Sequence, residues 1–152
     1  MTDPEVLSML NAAFANCERP EHFTNFTHCC ECAEHDELLR SRDRGTLRIE
    51  DVGNPGWDPL CFTSAEGLLY YLPALGRIAL QAPTGNLDWY VPQLHFHLTY
   101  EDKRNRILVA ASQEQRRAVV HLLRHIVDTR AELCERWSCR EDLLVAAELW
   151  EQ

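Results

Sequence analysis

Apolar residues recur at helical intervals through most of the chain. Val6, Leu7, Leu10, Ala13 and Phe14 predict a helix from about Asp3 to Cys17. Thr2 or Asp3 can cap it, Pro4 fits its first turn, and Glu18-Arg19-Pro20 ends it. Residues 20–27 read as a loop anchored by Phe23 and Phe26. A second helix is expected from Cys30 to about Ser41, with Leu38 and Leu39 on its apolar side and a stop at Asp43-Arg44-Gly45. Thr46 to Val52 suits a short strand or a helical turn. Residues 53–59, GNPGWDP, form a tight loop, with Trp57 expected as a plug over the core.

Thr63 to about Gln81 is apolar nearly all round and predicts a buried core helix capped by Ser64. Pro73 inside it lacks an N–H and crowds the carbonyl four residues back, so a kink or split near Leu69 is expected. Residues 89–100, WYVPQLHFHLTY, alternate after Pro92. Leu94, Phe96, Leu98 and Tyr100 would share one strand face, with His95, His97 and Thr99 on the other. Ile107 to Ala111 is a short helix or strand. Ser112 opens a long helix to about Glu135, with Val119, Leu122, Leu123, Ile126 and Val127 as its core stripe. Ser138 caps a last helix from Arg140 to about Trp150. The expected fold is mainly α: a single domain over residues 1–152, of about five helices, with a short irregular or β segment near residues 89–100.

Against this pattern one stretch stands out chemically. Residues 28–37 read HCCECAEHDE and hold three of the seven cysteines and two of the seven histidines. Thiolate and imidazole are the ligand set that suits zinc. Cys29 and Cys32 have the C-x-x-C spacing of a chelating half-site. On a helix His28, Cys32 and His35 would share a face, with Cys29 at its edge and Cys30 turned away. A helix alone rarely closes a four-ligand shell, so Cys61 and His22 are candidates to complete it. The same pair could be a redox dithiol, but Glu31, Glu34, Asp36 and Glu37 crowd it with negative charge and are expected to raise its thiol pKa values. Free cysteines also pack as small hydrophobes, which is the reading for Cys134 and Cys139. His95 and His97 read as a polar face, and His121 and His125, flanked by Arg117 and Arg124, as a poor metal site.

Composition narrows the partners. An apolar fraction of 45% supports a packed core. A net charge of −9 argues against nucleic acid and anionic membranes, and leaves a basic partner protein open. An odd number of cysteines and an opening MTDPE without a secretory signal lead to an expected cytoplasmic location. No G-x-S-x-G, glycine-rich phosphate loop or H-E-x-x-H occurs.

Three stretches are similar to a small bacterial family of unknown function: Cys29-Cys30-Glu31-Cys32-Ala33-Glu34, residues 62–74 reading FTSAEGLLYYLPA, and, more weakly, residues 112–119 reading SQEQRRAV. They stand in similar order across residues 29–130. The resemblance implies a cytoplasmic, mainly helical single domain and no activity. Three functions follow as expectations. The first is a zinc-binding, non-catalytic protein acting through protein contacts, with Cys29, Cys32, His35, His28 and Cys61 as candidate ligands. The second is an enzyme using the same cluster, either a thiol oxidoreductase or a metal-dependent hydrolase with Glu34 or Glu37 as general base. The third is a metal-free acidic inhibitor or immunity-type binding protein.

Overall fold

The computed structural model describes residues 1–152. It contains nine α-helices, three short 3-10 turns and no strand. Helix α1, Asp3–Ala13, begins at a capping box in which Thr2 and Glu5 serve each other's backbone N–H. Helix α2, Cys30–Arg40, takes the Cys29 sulfur as its cap. A loop leads through α3, Ile49–Val52, and the 3-10 turns Pro55–Trp57 and Pro59–Phe62. Helix α4, Ala65–Ala79, starts at Ser64, whose hydroxyl accepts from the Gly67 N–H as expected. Then come α5, Val91–Thr99, and α6, Arg106–Ala110. Helices α7, Gln113–Thr129, α8, Ala131–Arg136, and α9, Arg140–Glu151, complete the chain.

The core is one contiguous cluster of buried residues drawn from all nine helices. Helix α4 runs through it with ten of its residues buried, so its nearly uniform apolar sequence is a consequence of being covered on most sides. Helix α7 packs on α1 and on α9. Trp150 of α9 is buried and donates its indole N–H to the Leu98 carbonyl at the end of α5, 2.9 Å away.

Three expectations are corrected. Residues 91–99 are helix, not strand. Val91, Leu94 and Leu98 are buried at helical spacing, while Phe96 and Tyr100, which an alternating strand would bury with them, are exposed. Pro92 lies in the first turn, where the missing N–H costs nothing. Helix α4 is not split at Pro73 but continues through it. The Arg44 guanidinium donates to the carbonyl of Tyr70 in the turn before the proline, so this stretch of backbone draws a partner from outside the helix. The long helix from Ser112 ends at Thr129, and α8 follows as a separate turn. Arg130 breaks the helical backbone between them, and its guanidinium reaches both Asp3 carboxylate oxygens and the Leu80 carbonyl.

Candidate metal centre

The first turn of α2 concentrates the chemistry. Cys29 is in extended conformation, and its sulfur accepts from the Cys32 N–H at 3.4 Å. This is why the first cysteine of the C-x-x-C lies at the helix mouth and the second lies one turn in. Their sulfurs are 3.4 Å apart, and the Cys32 sulfur is 3.8 Å from Nδ1 of His28. One donor atom from each of His28, Cys29 and Cys32 falls within 4.8 Å of the other two. His28 and Cys29 are exposed and Cys32 is buried, so the group opens to solvent on one side. These residues can hold a metal ion.

The frame beneath the group is a carboxylate. Asp36, one turn further along α2, accepts from the N–H groups of Phe23 and Thr24 at 2.6 and 3.2 Å and pairs with His22 Nδ1 at 2.7 Å. The Thr24 hydroxyl donates to the Cys32 carbonyl at 2.7 Å. The loop of residues 20–27 is thus fastened to the helix that carries Cys32. Burial pushes the Asp36 carboxyl up, but the bonds from His22, Phe23 and Thr24 outweigh it and hold the group below its ordinary range. His22, considered for the metal shell, is engaged here and stacks on Phe26 at 4.0 Å between ring centres.

His35 and Cys61 lie outside the group. His35 is 1% exposed, with its ring 4.7 Å from that of Trp57 and stacked on Phe62 at 5.2 Å. Neither of its ring nitrogens has a hydrogen-bond partner. Helical side chains tilt toward the helix N-terminus, so Cys32 reaches the helix mouth while His35, three residues on, packs against the 3-10 segment. Trp57 covers this histidine and remains 44% exposed. Glu34 and Glu37 are exposed, and Glu37 lines a shallow surface hollow with Arg19, Glu21 and Arg40.

Cys61 belongs to a second group, with Asp58 and His97, whose donor atoms also lie within 4.8 Å of one another. Asp58 and His97 are buried, and Oδ2 of the carboxylate is 2.7 Å from Nε2 of the imidazole. The Gln93 amide donates to the same oxygen at 3.0 Å, and the Leu60 N–H to Oδ1 at 2.9 Å. Cys61 is exposed at a cavity of about 350 Å3 that His97 also lines. Burial, then the Asp58 charge, pushes the Cys61 thiol up, with Arg106 pulling against them. Asp58 carries no metal-like spacing in sequence, and His97 looks like half of a solvent-facing H-x-H. Only the helical reading of residues 91–99 brings His97 inward to meet a turn 39 positions earlier.

The thiol electrostatics follow expectation in direction at Cys32 and depart from it at Cys29. The Cys32 N–H, then His28 and the Cys32 thiol, bring Cys29 down to about 7, whereas its hydrogen bond with Cys29, then burial, raises Cys32. Glu31 adds to the rise at Cys32, while Glu34 and Glu37 are exposed to solvent. Cys134 and Cys139 are buried, as expected of packed thiols, and burial followed by the neighbouring Cys134 pushes Cys139 up to about 11. No helix is long and apolar enough to cross a membrane. Comparison with protein-family models, curated proteins and solved structures finds no match to this chain.

Proposed function

We propose that this protein binds one zinc ion through His28, Cys29 and Cys32 and acts through protein contacts at that site rather than by catalysis. The spacing of the donors is the observation that carries the reading. Around a tetrahedral zinc, bond lengths near 2.3 Å to sulfur and 2.0–2.1 Å to nitrogen put two sulfurs about 3.8 Å apart and a sulfur and a nitrogen about 3.6 Å apart. The observed separations are 3.4 and 3.8 Å, so small side-chain adjustments would seat the ion. The thiol brought down to about 7 is ready to ligate as thiolate near neutral pH. Three protein donors leave one position, on the exposed side where His28 and Cys29 lie. We infer that a donor from a partner protein, or a water, takes it, and the −9 net charge favours a partner with a basic surface.

Elemental mass spectrometry of untagged protein purified without added metal tests this. About one zinc per chain, lost in Cys29→Ser/Cys32→Ser, is the expected result. Metal-free protein that takes up no zinc on titration would overturn it.

A redox dithiol is the second reading, favoured by an exposed and a buried sulfur 3.4 Å apart. Closure would require oxidation of both thiols by an external disulfide, with two protons and two electrons passing to that disulfide. Alkylation rate against pH separates the two: a zinc site protects both cysteines until chelator is added, whereas a dithiol exposes Cys29 from the start.

A further inference from the structure

We propose that Asp58, Cys61 and His97 form a second divalent-metal site, of the open type that keeps a coordination position for a small ligand. It is independent of the group at the mouth of α2.

Charge balance is the first argument. Asp58 is buried, and its only salt-bridge partner is a histidine, also buried. The Arg106 charge acts on Cys61, but its guanidinium donates to the Leu60 carbonyl at 3.2 Å and pairs with no carboxylate. A carboxylate, a thiolate and a neutral imidazole together carry two negative charges. A dication among them makes the set neutral, which suits the burial of Asp58 and His97. Binding would release the thiol proton to solvent. Ligation through Nε2, the nitrogen that faces Asp58, would leave the ring proton on Nδ1 of the same neutral imidazole, so the thiol proton is the one lost.

Preorganisation is the second. A metal ligand works best when other groups fix its orientation. The Leu60 N–H and the Gln93 amide hold the Asp58 carboxylate, and the Gln93 amide also bonds the Val52 carbonyl. Asn105, itself buried, donates to the backbone carbonyl of His97 and caps the next helix through Ile107 and Leu108. Sulfur, nitrogen and oxygen donors are the set that zinc accepts.

The cavity is the third. Cys61 and His97 open onto about 350 Å3 of space whose other walls are the apolar Leu68, Phe96 and Tyr100 and the polar Glu101, Asn105 and Arg106. Three protein donors beside such a cavity match the pattern of catalytic zinc sites, in which water or substrate takes the fourth place.

Cobalt(II) is the probe. Protein carrying Cys29→Ser/Cys32→Ser is stripped of metal and titrated with cobalt. One equivalent, with a near-ultraviolet thiolate-to-cobalt charge-transfer band, is expected. Adding Cys61→Ser, a change at an exposed position, should abolish that band while leaving the helical circular dichroism intact. His97→Gln removes a ligand and should weaken cobalt binding at least as much as loss of an outer-shell partner does, that is by more than about 10- to 100-fold. No band in the parent, or a band that survives Cys61→Ser, would overturn the proposal. Because the parent already lacks the first group, either result is read independently of the site at α2.

Discussion

Asp36 does at the scale of one residue what the cluster needs from the chain. Its two oxygens take the N–H groups of Phe23 and Thr24 and the ring of His22, so one side chain stops the loop before α2 from drifting off the helix. Replacing it with alanine leaves two buried N–H groups without a partner, at a cost of about 3 kcal/mol. Denaturant unfolding of Asp36→Ala measures this, and a loss under about 0.5 kcal/mol, the level of a neutral surface change, would contradict it. The pH dependence has a definite sign. The folded carboxyl sits below its ordinary value of about 4, so the unfolded chain binds the proton more readily. The stabilisation is therefore complete above about pH 4–5 and is lost as pH falls through the depressed folded value. The acid limb of the stability curve should flatten in Asp36→Ala. Asp3 adds to the same limb: the Arg130 guanidinium, then His125, holds it well below the ordinary range.

Among elements, α4 shows how close packing depends on a missing side chain. A methyl group on Gly67 would lie 2.6 Å from a Thr63 carbon and 2.8 Å from the buried Phe23 ring. Alanine is the better helix former by about 1 kcal/mol, yet here overpacking should win. Gly67→Ala is expected to lower stability by about 1–2 kcal/mol net. A rise in thermal midpoint would show that Phe23 gives way freely. Because Phe23 is held by Asp36, the substitution should also disturb the loop before Cys29, visible as faster alkylation of Cys32. The elements themselves were legible where one period dominated. The stripes of α1 and α7, the Ser64 and Ser112 caps and the start of α2 followed from spacing and cap chemistry alone. Residues 91–99 are ambiguous in the sequence because Leu94 and Leu98 satisfy a period of two and a spacing of four alike. The exposure of Phe96 and Tyr100 decides between them. For the candidate site, the C-x-x-C and His28 were legible because their spacing is local. The partners of Cys61 were not, since Asp58 and His97 meet only when a turn and a helix pack together.

For the whole molecule the question is how much of its stability a metal at α2 would carry. In a zinc finger the ion replaces a core too small to fold alone. Here the buried cluster draws on every helix, and its large members Trp150, Trp89, Tyr71 and Tyr90 are remote in sequence from Cys29. Of the ligand residues only Cys32 is buried, and it stands at the edge of the fold, not among the members of that cluster. Metal removal should then cost no more than the binding linkage, about 3–4 kcal/mol when free zinc exceeds its dissociation constant 100- to 1,000-fold. For a domain of this size that amounts to a drop in thermal midpoint on the order of 10 °C, with the helical circular dichroism at 25 °C unchanged. The alkylation of Cys29 and Cys32 would accelerate at the same time, since local opening at a helix mouth needs far less free energy than global unfolding. Adding a chelator while following circular dichroism and thiol labelling together tests both halves. If helicity collapses on chelation, the core does not sustain the fold and the ion is structural throughout. If labelling speeds up while helicity holds, the ion fastens only the loop and first turn of α2, the part of the surface proposed to meet a partner.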